Sequence, residues 1–279
     1  MSIRRRIGAP VTWMLGPTFT TQYLPAWRAR RRRTPYRPEQ AWSARYAQVL
    51  RDSGLDDMAT IQRGANPRLV RYHYNAVENA LLEHVLRHPL PDAPSVLDIG
   101  VGAGHWVDFY RAALGAADVV GVEISAPVVE ALQARYADAA EVTILEADIT
   151  AEGAAFDRRF DVVNAVDVLF HVVDEARWLR ALATVARHLS PQGRLIVTEC
   201  VGLVSHDAGF RRPDSDRGDE GGDGRSPHVV TKRVRSLRHW RQGARAAGLE
   251  LADTVRLRKR RSFSTPANRL MVFRPRSGG

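Results

Sequence analysis

Apolar positions follow two different periods along this chain. From residue 94 onward, short apolar runs alternate with stretches whose apolar residues recur every three or four positions. The short runs predict strands at 95–99, 118–123, 142–146, 160–166, 193–199, 250–257 and 269–274. The longer period predicts helices at 104–114, 126–137, 174–188 and 235–247. Strands alternating with helices imply an α/β fold with a doubly wound, mostly parallel sheet. In such sheets ligands bind beyond the carboxyl ends of the strands. The strand ends are therefore the places to look for chemistry.

Upstream the pattern is purely helical. Ala41, Ala44, Tyr46, Val49 and Leu50 give an imperfect apolar stripe over 39–53, which Gly54 stops. Asn66 is a good N-cap and Pro67 suits a first helical position. Val70, Tyr74, Val77, Leu81 and Val85 then keep helical spacing until His88-Pro89. Tyr72, His73 and Tyr74 lie on this second helix, either facing a substrate or packing on the sheet. Residues 1–38 form an Arg/Pro-rich arm without sustained periodicity, in which Trp13, Phe19, Tyr23 and Trp27 are possible anchors. Three parts are expected: the arm at 1–38, a helical cap at 39–93 and the α/β domain at 94–279. Within the last, a charged insertion at 203–230 reads as a lid or as a passive loop.

Composition narrows the class. The chain has 279 residues, enough for one large α/β domain and a smaller appendage. No apolar run reaches the roughly 18 residues of a membrane span. Arg4-Arg5-Arg6 before an apolar stretch resembles an export signal. However, Pro10, Gly16 and Pro17 interrupt that stretch, so a cytoplasmic location is expected. The single cysteine, Cys200, fits a reducing compartment. Net charge is +8 over 1–40, −9 over 41–210 and +11 over 211–279. Basic ends suit an anionic partner such as RNA. They equally suit an Arg-rich composition, since Lys232 and Lys259 are the only lysines. The histidines are scattered and no H-E-x-x-H occurs, so no metal is expected. A P-loop lysine and a G-x-S-x-G elbow are also lacking.

The chemistry centres on Val96-Leu97-Asp98-Ile99-Gly100-Val101-Gly102-Ala103-Gly104-His105-Trp106. Glycines after a strand permit positive φ and close approach of backbone to ligand. A dinucleotide fingerprint requires G-x-G-x-x-G/A. Here the third glycine comes one residue early and an Asp precedes the first by two. This D-x-G-x-G-x-G order resembles the first motif of class I S-adenosylmethionine (SAM) methyltransferases. The family's F-D-x-V pattern is matched by Phe160 to Val163. Leu189-Ser190-Pro191-Gln192-Gly193 resembles its L-x-P-G-G turn, with Gln192 in place of a glycine. The resemblance implies SAM as cofactor and a seven-stranded sheet with an antiparallel last strand, beside the N-terminal helical extension.

The resemblance also assigns the strand ends. Asp98 is implied near the amino group of SAM, and the turn Gly100, Gly102, Gly104 with Trp106 against its methionine part. Glu123, about twenty residues beyond the glycines, stands where a carboxylate would hold the ribose hydroxyls, with Ile124 next to it. Asp148 and Ile149 are implied at the adenine, and Asn164 and Ala165 under the methionine. Asp167, His171 and Tyr72 are candidates for catalysis. Imidazole titrates near neutrality, but a histidine at this point in the family is usually structural.

Three functions remain open. One is methyl transfer to an O or N atom of a small molecule, such as a specialised metabolite. Another is an RNA or protein methyltransferase docking through the Arg-rich ends. The N-P-P-Y-like tetrapeptide of amino-methylating nucleic-acid enzymes is not present, since Asn164-Ala165-Val166-Asp167 stands there. The last is a SAM-binding protein that transfers nothing.

Overall fold

The computed structural model describes residues 38–55, 67–154, 156–199, 201–211, 229–258 and 268–276. The arm, the Asn66 cap, Cys200, the middle of the insertion and Lys259 lie outside them. Two helices lead the chain, α1 (Pro38–Ser53) and α2 (Pro67–Arg87). The alternation follows as β1 (Ser95–Ile99), α3 (His105–Leu114), β2 (Asp118–Glu123), α4 (Ala126–Arg135), β3 (Val142–Glu146) and β4 (Phe160–Val166). It continues with α5 (Glu175–His188), β5 (Leu189–Glu199), β6 (His206–Arg211), β7 (Val229–Val234), α6 (Leu237–Ala246), β8 (Leu249–Arg256) and β9 (Arg269–Pro275).

Seven strands form one sheet in the order β3-β2-β1-β4-β5-β9-β8. The first five are mutually parallel, and β9 runs antiparallel between β5 and β8. Chain order reverses between β1 and β4, so a crevice opens beyond their carboxyl ends. Alternate residues of each strand face opposite layers. Val96, Val119, Val162, Ile196 and Val272 pack with Val77 and Leu81 of α2, Val107 and Tyr110 of α3, and Leu132 of α4. Leu97, Val120, Val163, Leu195 and Phe273 pack with Trp178 and Leu182 of α5 and Trp240 of α6. Both faces are thus covered, as a parallel sheet requires. No helix among the described residues is long and apolar enough to cross a membrane.

Two stretches differ from expectation. β5 starts at Leu189 instead of 193, because Leu189 already pairs with Phe160 and the register then shifts before Val162 meets Arg194. Gly193 sits inside this irregularity, where a Cβ would lie 2.7 Å from the Phe160 carbonyl oxygen. The insertion is not an irregular loop at its base. β6 and β7 pair antiparallel from His206↔Val234 to Arg211↔Val229, and a bridge joins Gly202 to Ser236 at the root. The residues between these strands lie outside the described ones.

Candidate functional site

The crevice at the switch point is a cleft whose two lips are built differently. One lip is backbone. Gly100 and Val101 donate to the Val122 carbonyl at 2.8 and 3.1 Å, which ties the turn after β1 to β2. Gly100, Gly102 and Gly104 all have positive φ, at 68, 54 and 88°. Their reasons differ. A Cβ on Gly104 would meet the Tyr136 hydroxyl at 2.4 Å, and one on Gly100 would meet Val168 at 2.7 Å. At Gly102 nothing lies closer than the Tyr46 hydroxyl, 3.6 Å away. A side chain there would fit the turn and enter the cleft.

The ends of β2 and β3 continue this lip. Glu123 is buried and lines the cleft, its carboxylate accepting from the Ile124 N–H at 2.9 Å and the Gly102 N–H at 3.3 Å. Burial raises its pKa, and these backbone donors offset part of the rise. Asp148 also lines the cleft, but its oxygens are engaged. One accepts from the N–H and hydroxyl of Thr150 at 2.8 and 2.6 Å, the other from Arg177 at 2.7 Å. The aspartate therefore shapes the turn as well as facing the cleft.

Asp98 and Asn164 do not line the cleft. Both are fully buried and bond to each other, the Asn164 amide donating to Asp98 at 2.7 Å while Tyr110 donates to Asn164 at 3.2 Å. The other Asp98 oxygen is buried without a partner among the described residues. Burial first, and the nearby Glu123 charge, push its carboxyl up to about 7 against the pull of Asn164. Gly104 and Ala165 are likewise absent from the lining, because Gly104 faces Tyr136 and Ala165 faces the α5 side of the core. Gly100, Gly102, Trp106, Glu123, Ile124, Asp148 and Ile149 all line it.

The second lip is made of side chains. Asp167 follows β4 with φ at 59°, a strained value for a residue with a Cβ. Its N–H donates to the Thr198 hydroxyl at 2.9 Å, and that hydroxyl donates to one carboxylate oxygen at 2.7 Å. The other oxygen lies 2.5 Å from Nε2 of His73, a buried residue of α2. Beyond Asp167, a 3₁₀ turn at Leu169–His171 brings Phe170 and His171 to the cleft. The His171 ring meets Trp42 edge-on at 4.8 Å, and Trp42 contacts Tyr46 at 5.5 Å. Tyr74 stacks on His105 at 3.9 Å.

Tyr72 does not belong here. It is 41% exposed and outside the cleft lining, because α2 turns His73 and Tyr74 inward instead. Trp42, His105, Arg177 and Lys232 also line the cleft, and no motif marked them for a role. The spacing of Trp42 and Tyr46, four apart on a helix, was the available signal for that wall.

The cleft fits SAM on its own features: a glycine cradle that a side chain would fill, a buried acid at the end of β2 and a mixed polar and apolar end at Asp148-Ile149. Residues 96–193 match the family model described as a methyltransferase domain. No curated protein matches the sequence. Among solved structures, the CcbJ methyltransferase from Streptomyces caelestis is similar with TM-score 0.55 and 21% identity, covering 86% of this chain and all of that one. The glycopeptide N-methyltransferase MtfA complexed with SAM is similar with TM-score 0.51 and 18% identity, over 71% of this chain and 87% of that one. The complex between the Haloferax volcanii Trm112 methyltransferase activator and the putative methyltransferase matches with TM-score 0.55 and 17% identity, covering 84% and 96%. The sheet order is the Rossmann-like one, residues 96–193 carry the match to a methyltransferase domain, and the cofactor of such a domain is SAM.

Proposed function

We propose that the protein methylates an O or N atom of a small-molecule acceptor held between the sheet and the two N-terminal helices. The observation that carries this is the second lip. Trp42, Tyr46 and Tyr74 from the helices line the cleft together with Phe170, His171 and the oriented carboxylate of Asp167, and Trp42 meets the edge of His171. Such an aromatic-walled cleft suits a compact molecule with an apolar body. Residues 39–93 act as the cap on a catalytic domain at 94–279, with the arm at 1–38 outside both.

SAM supplies an activated methyl group on its sulfonium. The chain has to hold donor and acceptor in line and keep water out. Gly100 and Gly102 let the turn approach the methionine part, with Trp106 packing beside it. Glu123 accepts from the ribose hydroxyls, Ile124 and Ile149 flank the adenosine, and Asp148 orients its end through the turn it holds. Asp98, Asn164, Gly104 and Ala165 act from behind by fixing the turn and β4. Asp167 faces the acceptor, takes up or hydrogen-bonds its proton, and is aimed by Thr198 and His73. His171 and Tyr72 leave the base role: His171 packs against Trp42, and Tyr72 points away.

A labelled-SAM screen over metabolite, RNA and protein fractions tests this. Label in the small-molecule fraction is expected. Label confined to RNA or protein would overturn it and favour docking through the basic ends, whose net charges of +8 and +11 are the observation behind that second reading.

A further inference from the structure

The far end of α2, away from the cleft, gathers three metal-ligating side chains from distant parts of the sequence. His84 and His88 stand one helical turn apart, with ring centroids 5.0 Å apart. Asp253 of β8 faces them. A ligating atom from each of the three can be chosen so that all lie within 4.8 Å of one another. Asp253 follows a bulge in the β8–β9 pairing between Leu251 and Asp253. Bulges of this kind re-aim a side chain and cluster at functional places.

Nδ1 of His84 lies 2.8 Å from Asp253 Oδ2. The two atoms share one proton. An ion that displaced it would meet an imidazole nitrogen and a carboxylate oxygen from where they already stand, since metal binding releases the protons of its ligands.

The opposing charges are Arg87 and Arg194. Arg194 is already committed to the carbonyls of His88 and Pro89. Arg87 donates to Asp253 at 3.0 Å, but its side chain is 47% exposed and can swing into water. An ion that binds chiefly through nitrogen tolerates this surrounding better than a hard, oxygen-seeking one.

We propose that His84, His88 and Asp253 bind one divalent transition-metal ion of the imidazole-preferring kind, clamping the last turn of α2 to β8. The probe is Zn²⁺, titrated calorimetrically into the full chain after chelation and dialysis, with thermal unfolding followed in parallel. One saturable site is expected, together with a higher melting temperature when zinc is present. His88 is exposed, so His88→Asn should fold normally, as circular dichroism can verify. It should weaken that event by at least about tenfold and remove the thermal gain. Asp253→Asn should weaken it too. No saturable binding to the wild type, or unchanged affinity in either variant, overturns the proposal. Neither result bears on methyl transfer, because the cleft is elsewhere and His73, His105 and His171 remain in every variant.

Discussion

The two lips of the cleft are made of different material. The lip proposed for the cofactor is the turn after β1 and the ends of β2 and β3, where neighbours along the strand ladder set the geometry. The lip proposed for the acceptor is a set of side chains from α1, α2, the turn after β4 and β5, brought together by packing and side-chain hydrogen bonds between segments distant in sequence. The first lip resists substitution at Gly100 and Gly104, where a side chain would collide with Val168 and Tyr136. The second can change its lining while the sheet stays as it is. One fold can therefore keep one donor and vary its acceptors.

The sharpest way to break this contrast is Gly102→Arg. The turn tolerates a Cβ there, since nothing lies within 3.6 Å, so the chain should remain folded apart from a modest strain at φ 54°. The guanidinium would fill the cofactor lip. SAM affinity measured by calorimetry should fall by at least about 100-fold, near 2.7 kcal/mol. Unchanged affinity would remove the glycine turn from the pocket. Gly104→Val makes the opposite case, because its side chain collides with Tyr136 and should cost folding itself.

Next comes Asp167→Asn, which separates the lips by function. SAM affinity should stay within about twofold, while the rate of methyl transfer falls by roughly 10²–10³, the scale of a lost acid–base group. A parallel fall in SAM affinity would mean that Asp167 serves the cofactor. His73→Gln should give a smaller loss of rate in the same direction, because it touches Asp167 and not the acceptor.

How far the sequence foretold each lip follows from the same contrast. The strands, the sheet class and the glycine turn were readable because period-two runs and a fixed spacing are local properties. Glu123 and Asp167 were readable as acids at strand ends. Asp98 and Asn164 lie behind the cleft wall, because a strand's last residues alternate between cleft and core, and only the register shows which way each one faces. Trp42 and Lys232 had no local signature, since their position depends on α1 and β7 docking from distant sequence. Tyr72 stands one residue, 100° of helical rotation, away from the inward-facing His73 and Tyr74, a phase that an imperfect apolar stripe does not fix.

Asp98 gives a pH test of the layer under the cofactor lip. Its carboxyl is raised from 3.8 to about 7 by burial. A raised carboxyl means that the folded protein holds the proton more tightly than the unfolded chain. The resulting stability is complete below about pH 4 and is lost as pH rises through about 7. Asp98→Asn should remove this slope from a series of denaturant unfolding curves between those values. The slopes of variant and wild type should then differ most in that window. Equal slopes would show that Asp98 is hydrated and belongs to the cleft after all.

The smallest expected effect probes the acceptor lip alone. Trp42 touches Tyr46 and the edge of His171 but none of the glycine turn's backbone in these ring contacts. It is half-buried, so truncation leaves a wider cleft and no sealed cavity. Trp42→Ala should raise the KM for the acceptor by about tenfold, roughly the 1.4 kcal/mol of one lost aromatic contact. The turnover number should change little, because Asp167 keeps both its partners. SAM affinity should stay within about twofold. A matching loss of SAM affinity would show that the helical cap braces the cofactor as well as the acceptor. In that case the two lips would be one cooperative unit, and acceptor choice could not vary independently of cofactor binding.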